Sequence, residues 1–193
     1  MVIATSEVGG IVCAVDNQGL WGLVGAARGQ VRDPGDAESV AARVAMLLSA
    51  RGPGEIVAAG EVLWGLMADS YLRPLWAAAY LVNGGCSDDG FEYFRGWLIM
   101  QGREVYERVV ADPDALAGVA AIRAKAPGGR PVECEDTLYI AARAYRAAAG
   151  GELPGVRSGP DYPGLAPGWD FDFDDRAEMA RRLPRLAALF LDC

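Results

Sequence analysis

The sequence predicts an all-α fold, and three observations carry that expectation. From Leu20 onward apolar residues recur at helical spacing, and no alternation of period two runs to useful length after residue 19. The apolar stretches are also bracketed by residues that start and stop helices, with Asp, Ser or Pro before them and Gly after. The predicted architecture is a single-domain irregular helical bundle, residues 20–193, around a buried central helix at about 88–101. A short extended N-terminal arm (1–19) precedes it, and a Pro/Gly-rich strap covers 151–169.

Taken in order, Gly9-Gly10 and Asp16-Asn17-Gln18-Gly19 punctuate the arm, and a first short helix starts at Leu20 and ends by Gly29. Asp36 is the predicted N-cap of a second helix through Ser49, with Val40, Val44, Leu47 and Leu48 on one face. Pro53 suits the first turn of a third helix to about Asp69, because its missing N–H is one that the first turn leaves unpaired anyway. Pro74 opens a fourth, Leu75 to Val82, which is almost wholly apolar and so predicted buried, and Asn83-Gly84-Gly85 stops it. Ser87 caps the central helix, which ends at Gln101-Gly102. Asp112-Pro113 restarts a short one through Gly118, and 123–132 reads as a loop. Glu133 to Ala149 has the cleanest amphipathic pattern, stopped by Gly150-Gly151. The strap holds four prolines and five glycines in 19 residues, too many for a regular element. A last helix spans about Asp175 to Leu191, with Pro184 expected to interrupt it.

Composition removes more chemistry than it suggests. The 193 residues are 52% hydrophobic with a net charge of −8, globular values that oppose attraction to phosphate backbones or anionic lipid. Nucleic acid is therefore disfavoured as a partner. There is no histidine, which eliminates Ser-His-Asp and Cys-His catalysis together with histidine metal ligation. Lys125 is the one lysine among 18 basic residues. Cys13, Cys86, Cys134 and Cys193 are far apart and are expected to be reduced thiols. No basic n-region precedes the short apolar run Ile11 to Val15, and no segment approaches a membrane span, so the expected location is the cytoplasm.

The densest concentration of unusual residues is Gly84 to Gly102. Ser87 as cap, with Asp88 and Asp89 complementing the helix dipole, gives the start of this helix a structural meaning. Arg95 on an aromatic-rich face is harder to place. A buried guanidinium calls for a carboxylate, and Asp88, Glu92, Glu133 and Glu135 are the candidates. Cys86 precedes a helix N-terminus, where thiols turn acidic, but without a histidine base a small packed side chain is the preferred interpretation. The run Asp170, Asp172, Asp174, Asp175 and Glu178 alternates with Trp169, Phe171 and Phe173. Its oxygen spacing suits Ca²⁺ or Mg²⁺, yet it lacks the Asp-x-Asp-x-Asp-Gly loop, so a solvated acidic face is preferred. No metal and no cofactor is expected.

Residues Leu75 to Phe91, Arg95-Gly96-Trp97-Leu98-Ile99 and Gln101-Gly102 closely resemble a bacterial family of unknown function (domain of unknown function 4240). The weaker matches Leu20-Trp21, Asp112 to Leu116, Glu133 to Tyr145 and Trp169 to Asp175 extend the resemblance over nearly the whole chain. Members stand alone or are joined to WGR-type domains, which implies a regulatory setting but no activity; the chain has no Trp-Gly-Arg of its own.

The function expected from the sequence is a non-enzymatic interaction or regulatory module for a protein partner or small ligand. Its recognition surface would lie at Cys86, Ser87, Asp88, Asp89, Glu92 and Arg95, with Trp169 closing over it. The alternative is a carboxylate- or metal-dependent enzyme using Asp88, Asp89 and Glu92, which requires a concave pocket lined by them. A second alternative is an acidic immunity-type inhibitor of a basic toxin or nuclease, which requires a broad acidic face.

Overall fold

The computed structural model describes residues 15–125, 129–155, 165 and 167–191. Among them there is no strand, and the chain folds as a compact set of helices: α1 (Asn17–Arg28), α2 (Ala37–Ser49), α3 (Pro53–Asp69), α4 (Arg73–Asn83), α5 (Asp88–Met100), α6 (Arg103–Ala111), α7 (Ala120–Ala124), α8 (Ile140–Ala149), α9 (Arg176–Arg182) and α10 (Pro184–Phe190). Three-residue-per-turn helices at Pro113–Gly118, Glu135–Tyr139 and Pro167–Trp169 link them. No described helix is long and apolar enough to cross a membrane. Cys86 and Cys134 are free thiols; Cys13 and Cys193 lie outside the described residues.

The core is built around α5, in which every residue from Phe94 to Met100 is buried. A helix with apolar residues on all sides must be surrounded, and α2, α3, α4, α6 and the Glu135–Tyr139 turn all pack against it. The outer helices α1 and α8 cover α2 and α3, while α10 seats on α4, α9 and the Pro113–Gly118 turn.

Two helix starts fall where their cap residues place them: Asp36 accepts the Ser39 N–H at 3.2 Å ahead of α2, and Pro53 occupies the first turn of α3. Other boundaries differ from expectation for identifiable reasons. The arm assigned to 1–19 lies largely outside the described residues, but Asn17–Gly19 are the first turn of α1. Asp16 caps that helix by accepting the Gly19 N–H at 2.8 Å. The helix expected from Glu133 begins only at Ile140, because the Cys134 N–H is drawn off to the Tyr93 carbonyl of α5 (2.9 Å) and a tighter turn intervenes. Helices α6 and α7 occupy stretches to which the periodicity assigns no element. The last helix is two helices, broken at Pro184. Much of the strap, 156–164 and 166, lies outside the described residues; its end is the Pro167–Trp169 turn rather than extended chain.

Helix ends that meet inside the bundle are closed by charged side chains from elsewhere. Arg28 donates at 2.7 Å to the carbonyls of Pro34 and Met100, the latter at the end of α5. Asp114 accepts the Arg185 and Leu186 N–H groups at 3.0 and 2.9 Å, and so caps α10 across 71 residues of sequence.

Candidate functional site

The α4–α5 corner is where the chain's most distinctive residues lie. Gly84 takes the left-handed conformation (φ 69°) that ends α4, Gly85 follows at φ 127°, and its N–H donates to the Tyr80 carbonyl at 2.9 Å. Ser87 is then the N-cap of α5, its Oγ accepting the Gly90 N–H at 3.1 Å. Asp88 and Asp89 occupy the first turn and are exposed, as is Ser87; Glu92 is half-buried.

Arg95 is 1% exposed. Its guanidinium donates to the Met67 carbonyl in the last turn of α3 and, through Nε, to the Phe91 carbonyl at 3.3 Å. It lies over the Tyr71 and Phe91 rings at 5.0 and 4.9 Å, and Trp76 stacks on the far side of this group at 4.9 Å from Phe91. The same helix end is closed by Ser70 Oγ and by the Tyr106 hydroxyl, each donating to the Leu66 carbonyl (2.8 and 2.6 Å). A cation at the negative end of a helix dipole, supplied with carbonyl acceptors, is a stabilised buried charge. Of the carboxylates expected to meet it, Asp88, Glu133 and Glu135 form no ion pair with it.

Cys86 is half-buried, and its carbonyl accepts the Trp76 indole N–H at 3.1 Å. Burial, reinforced by the Glu133 carboxylate, pushes its thiol up to about 12, so it stays protonated and unreactive at neutral pH. Trp169 lies against Phe171 and beneath the Arg182 guanidinium (4.9 Å). Its segment is moored to α4 by the Asp170–Arg73 pair at 2.9 Å and by the Tyr80 hydroxyl donating to Asp174 at 2.6 Å. Asp175 caps α9, accepting the Ala177 and Glu178 N–H groups. This acidic run is therefore largely committed to local structure. Among the described residues no group of three or more His, Cys, Asp or Glu is placed to hold a metal ion.

A cleft of about 510 Å³ opens along α5 rather than at the α4–α5 corner. Its walls are the start of α2 (Gly35 to Glu38), Tyr93 and Trp97 one turn apart on α5, Ala121, and the segment Arg130 to Glu133 with Glu135. Three contacts hold that last segment in place. The Asn83 side chain brackets Val132, accepting its N–H at 2.8 Å and donating to its carbonyl at 3.5 Å. The Cys134 N–H reaches Tyr93 as above. Thr137 Oγ1 donates to the Gly96 carbonyl at 3.1 Å, an approach that glycine alone permits, since a Cβ at 96 would sit 2.6 Å from the Cys134 oxygen.

Four carboxylates, Asp36, Glu38, Glu133 and Glu135, face one arginine, Arg130, around this cleft. Their commitments differ. Asp36 is the α2 cap, and its hydrogen bonds to Ser39 hold its carboxyl below the usual carboxylate value. Glu135 accepts the Tyr139 hydroxyl at 3.3 Å. Glu133 is half-buried, makes no hydrogen bond or ion pair with a described residue, and is pushed above the ordinary value by desolvation. Trp97 is 4% exposed, and its indole N–H has no acceptor among the described residues. No buried side-chain nitrogen or oxygen among the described residues lacks a partner, and Trp97 is one of the residues that line the cleft. Asp88, Asp89, Glu92, Arg95 and Trp169 do not line it.

Residues 15–147 match the model of a protein family of unknown function (DUF4240), and the chain belongs to that family. All the cleft residues fall inside the matched span, whereas Trp169, α9 and α10 fall outside it. No curated protein and no solved structure matches the chain.

Proposed function

We propose that this chain is a non-enzymatic recognition module that takes a cationic group in the Tyr93–Trp97–Glu133 cleft. The observation that carries this is Glu133, a half-buried carboxylate with no hydrogen bond or ion pair among the described residues, which lines a cavity of the size that small ligands use. An uncompensated charge is unfavourable to the fold, and a cation in the cleft would compensate it. The recognition surface thus moves along α5 from Cys86–Arg95 to the next turn, Tyr93 to Trp97. An enzyme using Asp88, Asp89 and Glu92 would need them to face a pocket, and in the cleft they do not. Desolvation, with Glu135, Asp89 and Glu92 adding to it, raises the pKa of the Tyr93 hydroxyl, and the acidic neighbours also suit docking of a basic protein on the rim. A bacterial, cytoplasmic and regulatory setting belongs to this proposal and rests on the family resemblance and on composition.

The test is a titration of the full chain with Nα-acetyl-arginine methylamide and Nα-acetyl-lysine methylamide, followed by the Trp97 indole resonance in a proton–nitrogen correlation spectrum. At least one is expected to shift that resonance in a saturable way, and raised salt should weaken the effect. If neither cation moves it, the proposal fails.

A further inference from the structure

We infer that the open groove between α6, α7 and α10 docks an acidic segment of a partner protein, one whose carboxylates flank an aliphatic side chain. This goes beyond the cationic cleft above and does not depend on it. The groove has a volume of about 590 Å³. Three arginines from three helices, Arg108 on α6, Arg123 on α7 and Arg185 on α10, line it around Ala117, Ala188 and Leu189. Among the described residues no carboxylate lines it. In a chain with a net charge of −8 such a surface is an exception, and it complements negative charge.

The three guanidinium groups are engaged to different degrees. Arg185 donates from Nε to Asp114 at 2.9 Å and from Nη2 to Asp112, which fixes the side chain and leaves Nη1 without an acceptor among the described residues. Arg108 meets Glu104 at 3.5 Å, in an exposed pair that solvent screens. Arg123 is exposed, and its side chain makes no hydrogen bond or ion pair with a described residue.

The shape selects a polypeptide over a small anion. A further cleft of about 620 Å³ shares Arg108 and Gly118 with this groove, and Asp36 and Ala121 with the Tyr93–Trp97 cleft, so the three run on from one another. A long, open trough fits an extended chain, whereas a metabolite site encloses most of its ligand. The floor adds the second requirement. Alanine and leucine take an aliphatic side chain and offer no side-chain polar group to a sugar or a base.

The experiment is a titration of the full chain with Nα-acetyl-Glu-Leu-Glu amide, followed at the Gly118 and Leu189 amide resonances. The controls are the Gln-Leu-Gln and Glu-Ser-Glu counterparts and inorganic pyrophosphate. The Glu-Leu-Glu peptide is expected to shift both resonances in a saturable way, and raised salt should weaken it. The glutamine peptide should leave them unmoved, and the serine peptide should bind at least about threefold more weakly. Arg123→Gln and Arg108→Gln should each weaken binding at least about threefold while the urea midpoint stays where it is, because neither side chain has a strong partner to lose. No shift with Glu-Leu-Glu overturns the inference, as does equal binding of either control peptide or an Arg123→Gln protein of undiminished affinity. Pyrophosphate binding more tightly than the peptide assigns a phosphate-bearing ligand and overturns the polypeptide. Each of these failures leaves the cationic reading standing, since that is read at the Trp97 indole with cationic probes.

Discussion

Arg95 and Glu133 are both charged side chains withdrawn from bulk water, and the protein treats them in opposite ways. Arg95, 1% exposed, meets carbonyls from two helices and two aromatic faces. Glu133 forms no hydrogen bond or ion pair with a described residue and keeps a carboxyl whose ionised form is disfavoured where it stands. A buried charge supplied with partners is part of the framework, because removing it orphans those partners. A charge left without partners adds nothing to the fold, and that makes it the better indicator of a ligand. Asp114 belongs with Arg95: it is 5% exposed and accepts two backbone N–H groups of α10 along with the Arg185 side chain.

The comparison breaks most visibly at Arg95. Arg95→Ala is expected to remove about 3–5 kcal/mol, much of a domain's total stability, and to leave little folded protein by circular dichroism or urea titration. Arg95→Lys should recover only part, since an ammonium lacks the flat face that lies on Tyr71 and Phe91. A soluble Arg95→Ala protein with an unchanged urea midpoint would place Arg95 on the functional side after all.

Asp114→Ala should cost about 1–3 kcal/mol, because the Arg185 and Leu186 N–H groups lose their acceptor. Hydrogen exchange at those two amides should rise while the cleft is undisturbed, and unchanged exchange would remove Asp114 from the framework. Gly96→Ala sharpens the comparison by coupling framework to cleft. The new Cβ collides with the Cys134 carbonyl, which cannot retreat without moving Glu133, so a cost of about 1–3 kcal/mol is expected together with a displaced Trp97 indole resonance. A stability loss with no spectral change there would separate the two.

The helix framework was readable where a residue acts on its own neighbours. Asp36 and Pro53 mark α2 and α3 because capping and proline geometry are local. The boundaries that were missed are set at a distance. The start of α8 is delayed because Tyr93, some 40 residues earlier, takes the Cys134 N–H. Arg95 was legible as a buried charge but not in its acceptors, since the Met67 and Phe91 carbonyls belong to the backbone that every residue has. The cleft was the least legible feature. Its walls come from the start of α2, the middle of α5 and the 130–135 segment, and only the tertiary fold brings Glu38, Trp97 and Glu133 to one space. The available signal was the spacing of Tyr93 and Trp97, four residues apart and so on one side of α5.

The most direct test of the distinction between framework charge and ligand charge is the melting temperature of Glu133→Gln against the parent as a function of pH. Burial raises the Glu133 pKa, so the folded chain holds that proton more tightly than the unfolded chain does. The resulting penalty is absent below the ordinary carboxylate value, develops as pH rises from that value through the raised folded value, and is complete above it. Glutamine carries no charge to desolvate. Glu133→Gln should therefore melt higher than the parent at neutral pH, with the gap closing toward about pH 4, near the ordinary glutamate value. A variant that melts lower than the parent at neutral pH would show Glu133 to be a structural charge like Arg95, and would contradict the account.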